Sequence, residues 1–250
     1  MTAVGLPALK ATGIRASYGV GEIIRGIDFE VAAGEVVVII GPNGAGKSTF
    51  LRALYGLIQT TGLVMLGGQR IDDVAADRRL DLGLAFVPQG RCNFAGLTVL
   101  QNLEAALLRL PRAKRAAALE STLELFPPLR RLLRRRAGNA SGGEQQLVEM
   151  AMALVSQPKV VLLDEPTLGL SPIASEFVFD TIKALRKTGT GVVIVEQNAR
   201  QALEIGDRAY VFEQGVSRIV DRCDRLLGDR RIREVFLGGS VDDLPLTTES

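Results

Sequence analysis

The 250-residue sequence contains no histidine. That absence excludes histidine-ligated metal centres, imidazole general bases and every nucleophile arrangement that pairs serine or cysteine with histidine. Chemistry in this chain has to run on carboxylates, lysine, backbone amides or a bound ion. Cysteine is nearly as scarce. Cys92 and Cys223 stand far apart, without the spacing of a zinc or redox motif, and read as free packing thiols in a reducing cytosol. An excess of one charge is missing too: 30 Lys+Arg against 28 Asp+Glu leave a formal net of +2. No field of that size would hold the chain to nucleic acid through phosphate contacts. Long apolar runs are absent; the longest, such as Val36 to Ile40 and Val160 to Leu163, fall far short of a membrane span. The opening MTAVGLPALKATG has no apolar region of signal-peptide length. A soluble, unsecreted chain is expected.

Hydrophobic residues make up 47% of the sequence, enough for a sizeable core and too many for a disordered chain. Short β-branched runs punctuated by glycine alternate with helical patterns, the signature of βαβ units around a largely parallel sheet. The fold class is therefore α/β. Val36 to Ile40 reads as a strand buried on both faces, followed by a glycine-rich stretch and a helix over Ser48 to Tyr55. Val160 to Leu163 and Val192 to Val195 read as further central strands. Ala8 to Ile14 and Ile27 to Val31 suggest antiparallel strands, and Leu63 to Gly68 runs into a Gly-Gly turn. From 97 to 156 helical periodicity takes over, in Thr98 to Leu110, Ala113 to Leu125 and Glu144 to Val155. Thr98, with Gln101 three residues on, forms a capping box. The expected organisation is a single domain with a core over 1–96 and 157–238, a helical insert over 97–156 and a polar tail over 239–250. Within the insert, Arg130, Arg131, Arg134, Arg135 and Arg136 read either as a solvated face or as a patch for anionic headgroups or an acidic partner.

Gly41, Pro42, Asn43, Gly44, Ala45, Gly46, Lys47 and Ser48 satisfy G-x-x-x-x-G-K-[ST]. In such a loop, backbone N–H groups wrap phosphate oxygens, lysine reaches the β- and γ-phosphates, and the serine hydroxyl holds Mg²⁺. A chance match arises on the order of once in a hundred chains of this length. Here the motif also follows a buried strand and opens a helix, whose dipole favours an anion. Nucleotide binding is the expected function, with Thr49 completing the loop.

The apolar strand from Val160 ends in two acids, Asp164 and Glu165. Strand alternation would send them to opposite sides, Asp164 to the Mg²⁺ shell and Glu165 to a water near the γ-phosphate. With histidine missing, Glu165 is the candidate that polarises that water.

Together with Ser141-Gly142-Gly143-Glu144-Gln145-Gln146, these residues resemble the ATP-binding-cassette (ABC) ATPases over nearly the whole chain. The resemblance implies a P-loop NTPase (RecA-like) core with an N-terminal antiparallel β subdomain and an inserted α-helical subdomain. It further implies a head-to-tail cassette dimer in which Ser141, Gly142, Gly143 and Glu144, the signature, face the nucleotide of the other cassette. Tyr18 resembles the aromatic that stacks on adenine, with ordinary packing as the alternative. Gln89 resembles the glutamine that reaches Mg²⁺ and the attacking water and couples nucleotide state to subdomain rotation. ATP and Mg²⁺ are the implied cofactors, Mg²⁺ being held by Ser48, Gln89 and Asp164.

Three positions depart from the family pattern. Ala140 replaces the usual leucine before the signature, Ser171 stands where many cassettes have aspartate, and Gln197 occupies the position of the switch histidine. A glutamine there can hydrogen-bond but carries no charge, which weakens stabilisation of the transferring phosphoryl group. Glu165, Gln197 and Gln89 are the expected catalytic set. Glu196-Gln197-Asn198, with Val87-Pro88-Gln89-Gly90-Arg91, resembles the second ATP-binding protein of branched-chain amino acid importers and their urea or short-amide relatives. That implies a peripheral subunit on the cytoplasmic face of the membrane, paired with a second and different ATPase subunit, with integral membrane permeases and, indirectly, with an extracytoplasmic solute-binding protein. No nucleic-acid partner is implied. Permease contact is expected around Gln89 to Leu100, with Phe94 and Leu97 either touching the permease or packing beneath the loop. The competing class is a soluble ABC ATPase of DNA repair or cofactor assembly, but the insert has neither the heptads nor the metal-ligand cluster of such proteins.

Overall fold

Val36–Ile40 forms a strand whose residues face two cores in alternation: Val36, Val38 and Ile40 enter one, Val37 and Ile39 the other. Burial on both faces explains why the run has no polar residue. Around it the computed structural model describes residues 6–19, 21–90, 92–229 and 232. The expected tail over 239–250 and Arg91 lie outside the described residues.

The strands in chain order are β1 (Leu9–Tyr18), β2 (Gly21–Val31), β3 (Val36–Ile40), β4 (Thr60–Leu66), β5 (Gln69–Arg70), β6 (Leu84–Val87), β7 (Val160–Asp164), β8 (Gly191–Val195), β9 (Arg208–Glu213) and β10 (Val216–Arg222). They build two sheets. One is antiparallel with order β2-β1-β4-β5; the other has order β10-β9-β3-β8-β7-β6. In the second sheet β9, β3, β8, β7 and β6 pair in parallel and only β10 runs antiparallel. The helices are α1 (Lys47–Tyr55), α2 (Ala76–Leu82), α3 (Val99–Leu107), α4 (Arg112–Leu125), α5 (Gly142–Leu154), α6 (Pro172–Lys187), α7 (Ala199–Ile205) and α8 (Cys223–Gly228).

Three layers result. Residues of α3, α5, α6, α7 and α8 cover one face of the larger sheet, and α1 with the antiparallel sheet covers the other. Phe50 of α1 stands edge-on to Phe29 of β2 and to Phe212 of β9, at 5.4 and 5.2 Å between ring centres. It therefore locks the helix after the glycine-rich loop between the two sheets.

Several elements extend past their expected limits. β1 continues through Gly13 to Tyr18, and its pairing with β2 shifts register between Ala11 and Ile14. Gly13 has φ +61° and its N–H donates to Asp28 at 2.7 Å. Such a bulge interrupts the apolar alternation by which a strand is read. The three helices of the 97–156 segment form, and α3 has the anticipated cap: Gln101 N–H donates to Thr98 Oγ1 at 3.2 Å, and Thr98 N–H to Gln101 Oε1 at 2.9 Å. Not every thiol packs. Cys223 is buried and its pKa is pushed up to about 12, chiefly by desolvation, whereas Cys92 is exposed in the loop after β6.

Candidate active site

The parallel strands β3, β8, β7 and β6 are neighbours, so their carboxyl ends form one crest, where open α/β sheets place their ligands. From β3 comes the glycine-rich loop, from β7 Asp164 and Glu165, from β8 Glu196 and Gln197, and from β6 Gln89. Residues remote in sequence thus meet at one edge.

The loop is shaped by close backbone contact. A Cβ on Gly41 would stand 2.1 Å from the carbonyl oxygen of Phe212 in β9, and one on Gly46 2.7 Å from Ile24. Gly46 has φ +96° and caps α1 without a side chain. The first N–H groups of α1 therefore have no side-chain cap and are available to an anion. Lys47 is buried, with its ammonium donating to the carbonyls of Gly41 at 2.8 Å and Pro42 at 3.1 Å. Desolvation pulls its pKa down, opposed by the charges of Glu165 and Asp164. Asn43, Gly44, Gly46, Lys47, Ser48, Thr49 and Glu165 border a common pocket. Ala45 faces inward and Pro42 outward. Tyr18, at the end of β1, is 46% exposed. An aromatic that open to solvent is not packed away.

Ser48 Oγ donates to Asp164 Oδ1 at 2.7 Å. The other oxygen, Oδ2, is buried without a hydrogen-bond partner among the described residues. Burial raises the pKa of this carboxyl, with Ser48 and the nearby Lys47 and Arg52 opposing and Glu165 adding to the rise. An orphaned buried carboxylate oxygen beside a serine hydroxyl fits Mg²⁺, which takes one or two carboxylates and completes its shell with water and phosphate. In keeping with that sparse demand, the described residues contain no cluster of three or more Cys, Asp or Glu able to hold a metal alone.

The two acids do not diverge as strand alternation suggests. β7 ends at Asp164, and Glu165 turns into the left-handed region at φ +50°. Both acids consequently border one pocket together with Gln89 and Gly142. Three hydrogen bonds hold the Glu165 carboxylate: Gln89 Nε2 donates to Oε2 at 3.1 Å, and Gln197 Nε2 to Oε1 and Oε2 at 3.2 and 3.1 Å. All three bonds come from neutral side-chain amides, which fix the direction of the carboxylate. The arrangement is suited to accept a proton from a water placed between Glu165 and an anion on the Lys47 loop.

Ser141 caps α5 in a second capping box. Its hydroxyl accepts from Glu144 N–H at 3.3 Å, and its own N–H donates to Glu144 Oε2 at 2.8 Å. The hydroxyl also lies against the Glu144 carboxylate, and with the Ser141 N–H it holds the pKa of that carboxyl down. Beside it, Gly142 has open space where a Cβ would sit, while Gly143 approaches Ala174. Of the departures from the family pattern, Ser171 has a local structural role, capping α6 through Ala174 N–H at 3.4 Å; at Ala140 only the main-chain carbonyl is engaged, accepting from Gln145 at 2.9 Å.

Two buried acids went unnoticed as anchors in the sequence. Glu149 of α5 accepts from Cys92 N–H at 2.9 Å and Asn93 Nδ2 at 2.7 Å. Glu196 accepts from Thr167. Only their position in otherwise apolar surroundings could have flagged them. Asn102 adds a third anchor, accepting from Phe94 N–H at 2.7 Å and donating to the carbonyls of Phe94 and Thr98. The stretch from Cys92 to Thr98 is thereby fixed to α3 and α5, while Phe94 at 55% and Leu97 at 38% exposure project from it. They do not pack beneath the loop. The arginine cluster divides: Arg130 pairs with Glu120, and Arg135 with Glu144 and the Asn139 carbonyl. Arg131, Arg134 and Arg136 are exposed.

Comparison with known proteins bears on this geometry. Residues 24–168 match the family model described as ABC transporter. The chain is 41% identical to BraG of Pseudomonas aeruginosa, named a high-affinity branched-chain amino acid transport ATP-binding protein, over 89% of this chain and 96% of that one. It is 35% identical to LptB of Acidithiobacillus ferridurans, named a lipopolysaccharide export system ATP-binding protein, over 92% of this chain and 96% of that one. Among solved structures, the ADP conformation of MJ1267, an ATP-binding cassette of an ABC transporter, superposes with a TM-score of 0.78 at 27% identity, covering 94% of this chain and all of that one. A phosphate loop, a buried acid at the next-but-one strand end and a capped serine-glycine helix therefore occur here in a chain alike to these cassettes along most of its length, and the chain belongs to the ABC transporter family, as one of its ATP-hydrolysing ATP-binding cassettes.

Proposed function

We propose that this chain is the ATPase subunit that powers uptake of branched-chain amino acids through integral membrane permeases, acting at the cytoplasmic face of the membrane. The observation that carries the ATPase part is the meeting of Lys47, the Ser48–Asp164 pair and Glu165 at one crest. The 41% identity to BraG, together with Glu196-Gln197-Asn198, supports the solute. No helix among the described residues is long and apolar enough to cross a membrane. In this reading permeases supply the path, and an extracytoplasmic binding protein the solute.

In this reading the amides of the Gly41 to Thr49 loop and Lys47 bind the phosphates, and Tyr18 lies against the base. Ser48, Asp164 and Gln89 would hold Mg²⁺, which would offset negative charge on the phosphates. Glu165 accepts the proton of the attacking water, and Gln89 and Gln197 orient Glu165. Ser141, Gly142, Gly143 and Glu144 face the nucleotide of a second, different cassette. Phe94 and Leu97 meet the permease, so the Glu149 and Asn102 anchors carry loop movement into α5 and α3.

Purification from detergent-solubilised membranes tests the reading: stoichiometric permeases should accompany the chain. A deletion strain should lose uptake of labelled leucine and keep uptake of urea. Loss of urea uptake alone would replace the solute, and absence of permeases would sink transport altogether. The 35% identity to LptB favours a second reading, in which the same ATPase serves a different membrane complex. Unchanged leucine and urea uptake with co-purifying membrane proteins would favour it.

Gln197→His is expected to change turnover in the assembled complex. A charged donor stabilises the phosphoryl group by about 1 kcal/mol more than a neutral one, about fivefold in rate. Against that gain stands the loss of the two Gln197 bonds to Glu165. ATP affinity should hardly move, since Gln197 contacts Glu165 and not the Lys47 loop. Phosphate release at saturating ATP measures it, and equal turnover would refute the assigned weakness.

A further inference from the structure

Glu196 is buried at 3% exposure, and the groups that act on it are Thr167, Glu165 and Gln197, with no Lys or Arg. An acid in that setting is costly unless its hydrogen bonds matter. They all go to the turn that carries Glu165 or to the residue that holds its carboxylate. Glu196 Oε1 accepts from Thr167 N–H at 3.1 Å and Thr167 Oγ1 at 2.8 Å, and the carboxylate also faces the Gln197 N–H.

That turn is strained. Glu165 has φ +50°, a region that costs a residue with a Cβ on the order of 1 kcal/mol or more. It is gripped by three consecutive residues at the end of β8. Val195 O accepts from Glu165 N–H at 2.9 Å, Glu196 takes both donors of Thr167, and Gln197 donates to both Glu165 oxygens. Within the turn, Leu168 N–H donates to Glu165 O at 3.1 Å. Without Glu196, the only holds left from β8 are a single backbone bond and the two side-chain bonds of Gln197 itself.

We infer that Glu196 is a positioning residue for hydrolysis: by clamping Thr167 it keeps Glu165 in its left-handed turn and in register with Gln197. This inference rests on Glu165 being the base. It predicts a defect in turnover separate from nucleotide affinity, because Glu196 has no contact with the Lys47 loop.

In the full-length chain, Glu196→Ala should lower kcat by roughly tenfold to 100-fold, the penalty of a misplaced catalytic group. Its dissociation constant for a fluorescent ATP analogue should stay within about threefold of the parent, as expected for an interaction made only on the reaction path. Glu196→Gln keeps the accepting oxygen and should restore kcat to within about threefold of the parent. Thr167→Val removes one donor and keeps the N–H, so an intermediate loss is expected. Parental kcat in Glu196→Ala, a parallel loss of affinity and kcat, or failure of Glu196→Gln to rescue would each overturn the inference. If Glu196→Ala does not fold, Thr167→Val decides, since unchanged kcat there overturns it equally. Glu165→Gln separates the two claims. Its retained turnover would remove the base assignment and this inference with it, whereas an inactive Glu165→Gln beside a fully active Glu196→Ala would remove this inference alone.

Discussion

Glu165→Gln is expected to lower ATP turnover by roughly 100-fold to 10,000-fold, the range general-base catalysis supplies. Binding of ATP should persist. The substitution preserves the shape of a side chain held by Gln89 and Gln197, and the Gly41 to Thr49 loop does not depend on it. What it removes is the proton acceptor. In a chain without histidine, few replacements are at hand. Asp164 gives one oxygen to Ser48 and is assigned with the other to Mg²⁺, and Glu196 is engaged with Thr167. Phosphate release and equilibrium binding of a fluorescent ATP analogue measure the two quantities separately. A loss below tenfold would mean that another group polarises the water.

Gly41→Ala should be the most damaging single methyl group in the phosphate loop. Its Cβ would lie 2.1 Å from the Phe212 carbonyl oxygen, and both partners are main chain, so no side chain can swing aside. The loop is also tied to the same hairpin by Gly215 N–H donating to Ala45 O at 3.1 Å. Moving it away from β9 would disturb that bond and the Phe50–Phe212 contact as well. A cost of about 3 kcal/mol is expected, from overpacking without room to relax, or roughly 6–12 °C in melting temperature for a chain this size. Gly44→Ala serves as the contrast. Gly44 has φ +81° but nothing within 4 Å of its Cβ position. It should cost about 1 kcal/mol through backbone strain alone. Thermal melts of both variants decide the matter, and equal losses would show that conformation rather than contact governs the loop.

The central sheet was legible because its strands are buried on both faces. Val36–Ile40, Gly191–Val195 and the strand Val160–Asp164 up to its final acid had to avoid polar side chains, and they announce themselves. The Thr98 cap was legible because its bonds span three residues of one chain segment. By contrast β1 and β2 were cut short, since the bulge at Gly13 breaks the period by which strands are recognised. Lys47, Ser48 and Asp164 could be named because short fixed spacings and a strand end locate them. The orientation of Glu165 could not. It depends on a left-handed φ that nothing in the residue type favours and that packing from β8 imposes. Glu149 and Glu196 stayed hidden for a related reason: an acid becomes an anchor only when folding brings a distant backbone donor to it, Cys92 in one case and Thr167 in the other. The arginine cluster reads in sequence as a solvated face or a binding patch, and sequence alone does not show that Arg130 and Arg135 are taken up by Glu120 and Glu144.

Having only two cysteines, one of them sealed inside, gives the chain a built-in place for an optical probe. The Cys223 thiol, buried and pushed up to about 12, withholds its thiolate from alkylating dyes near neutral pH. Cys92 is exposed, between Gln89, which reaches Glu165, and Phe94, which faces outward; partial burial and the Glu149 charge raise its pKa too, so its selective labelling rests on access. A fluorophore attached there would sit on the very stretch of chain that nucleotide and membrane partner are both expected to move. The natural sequence could thus report its own conformational cycle in real time, without engineered labelling sites.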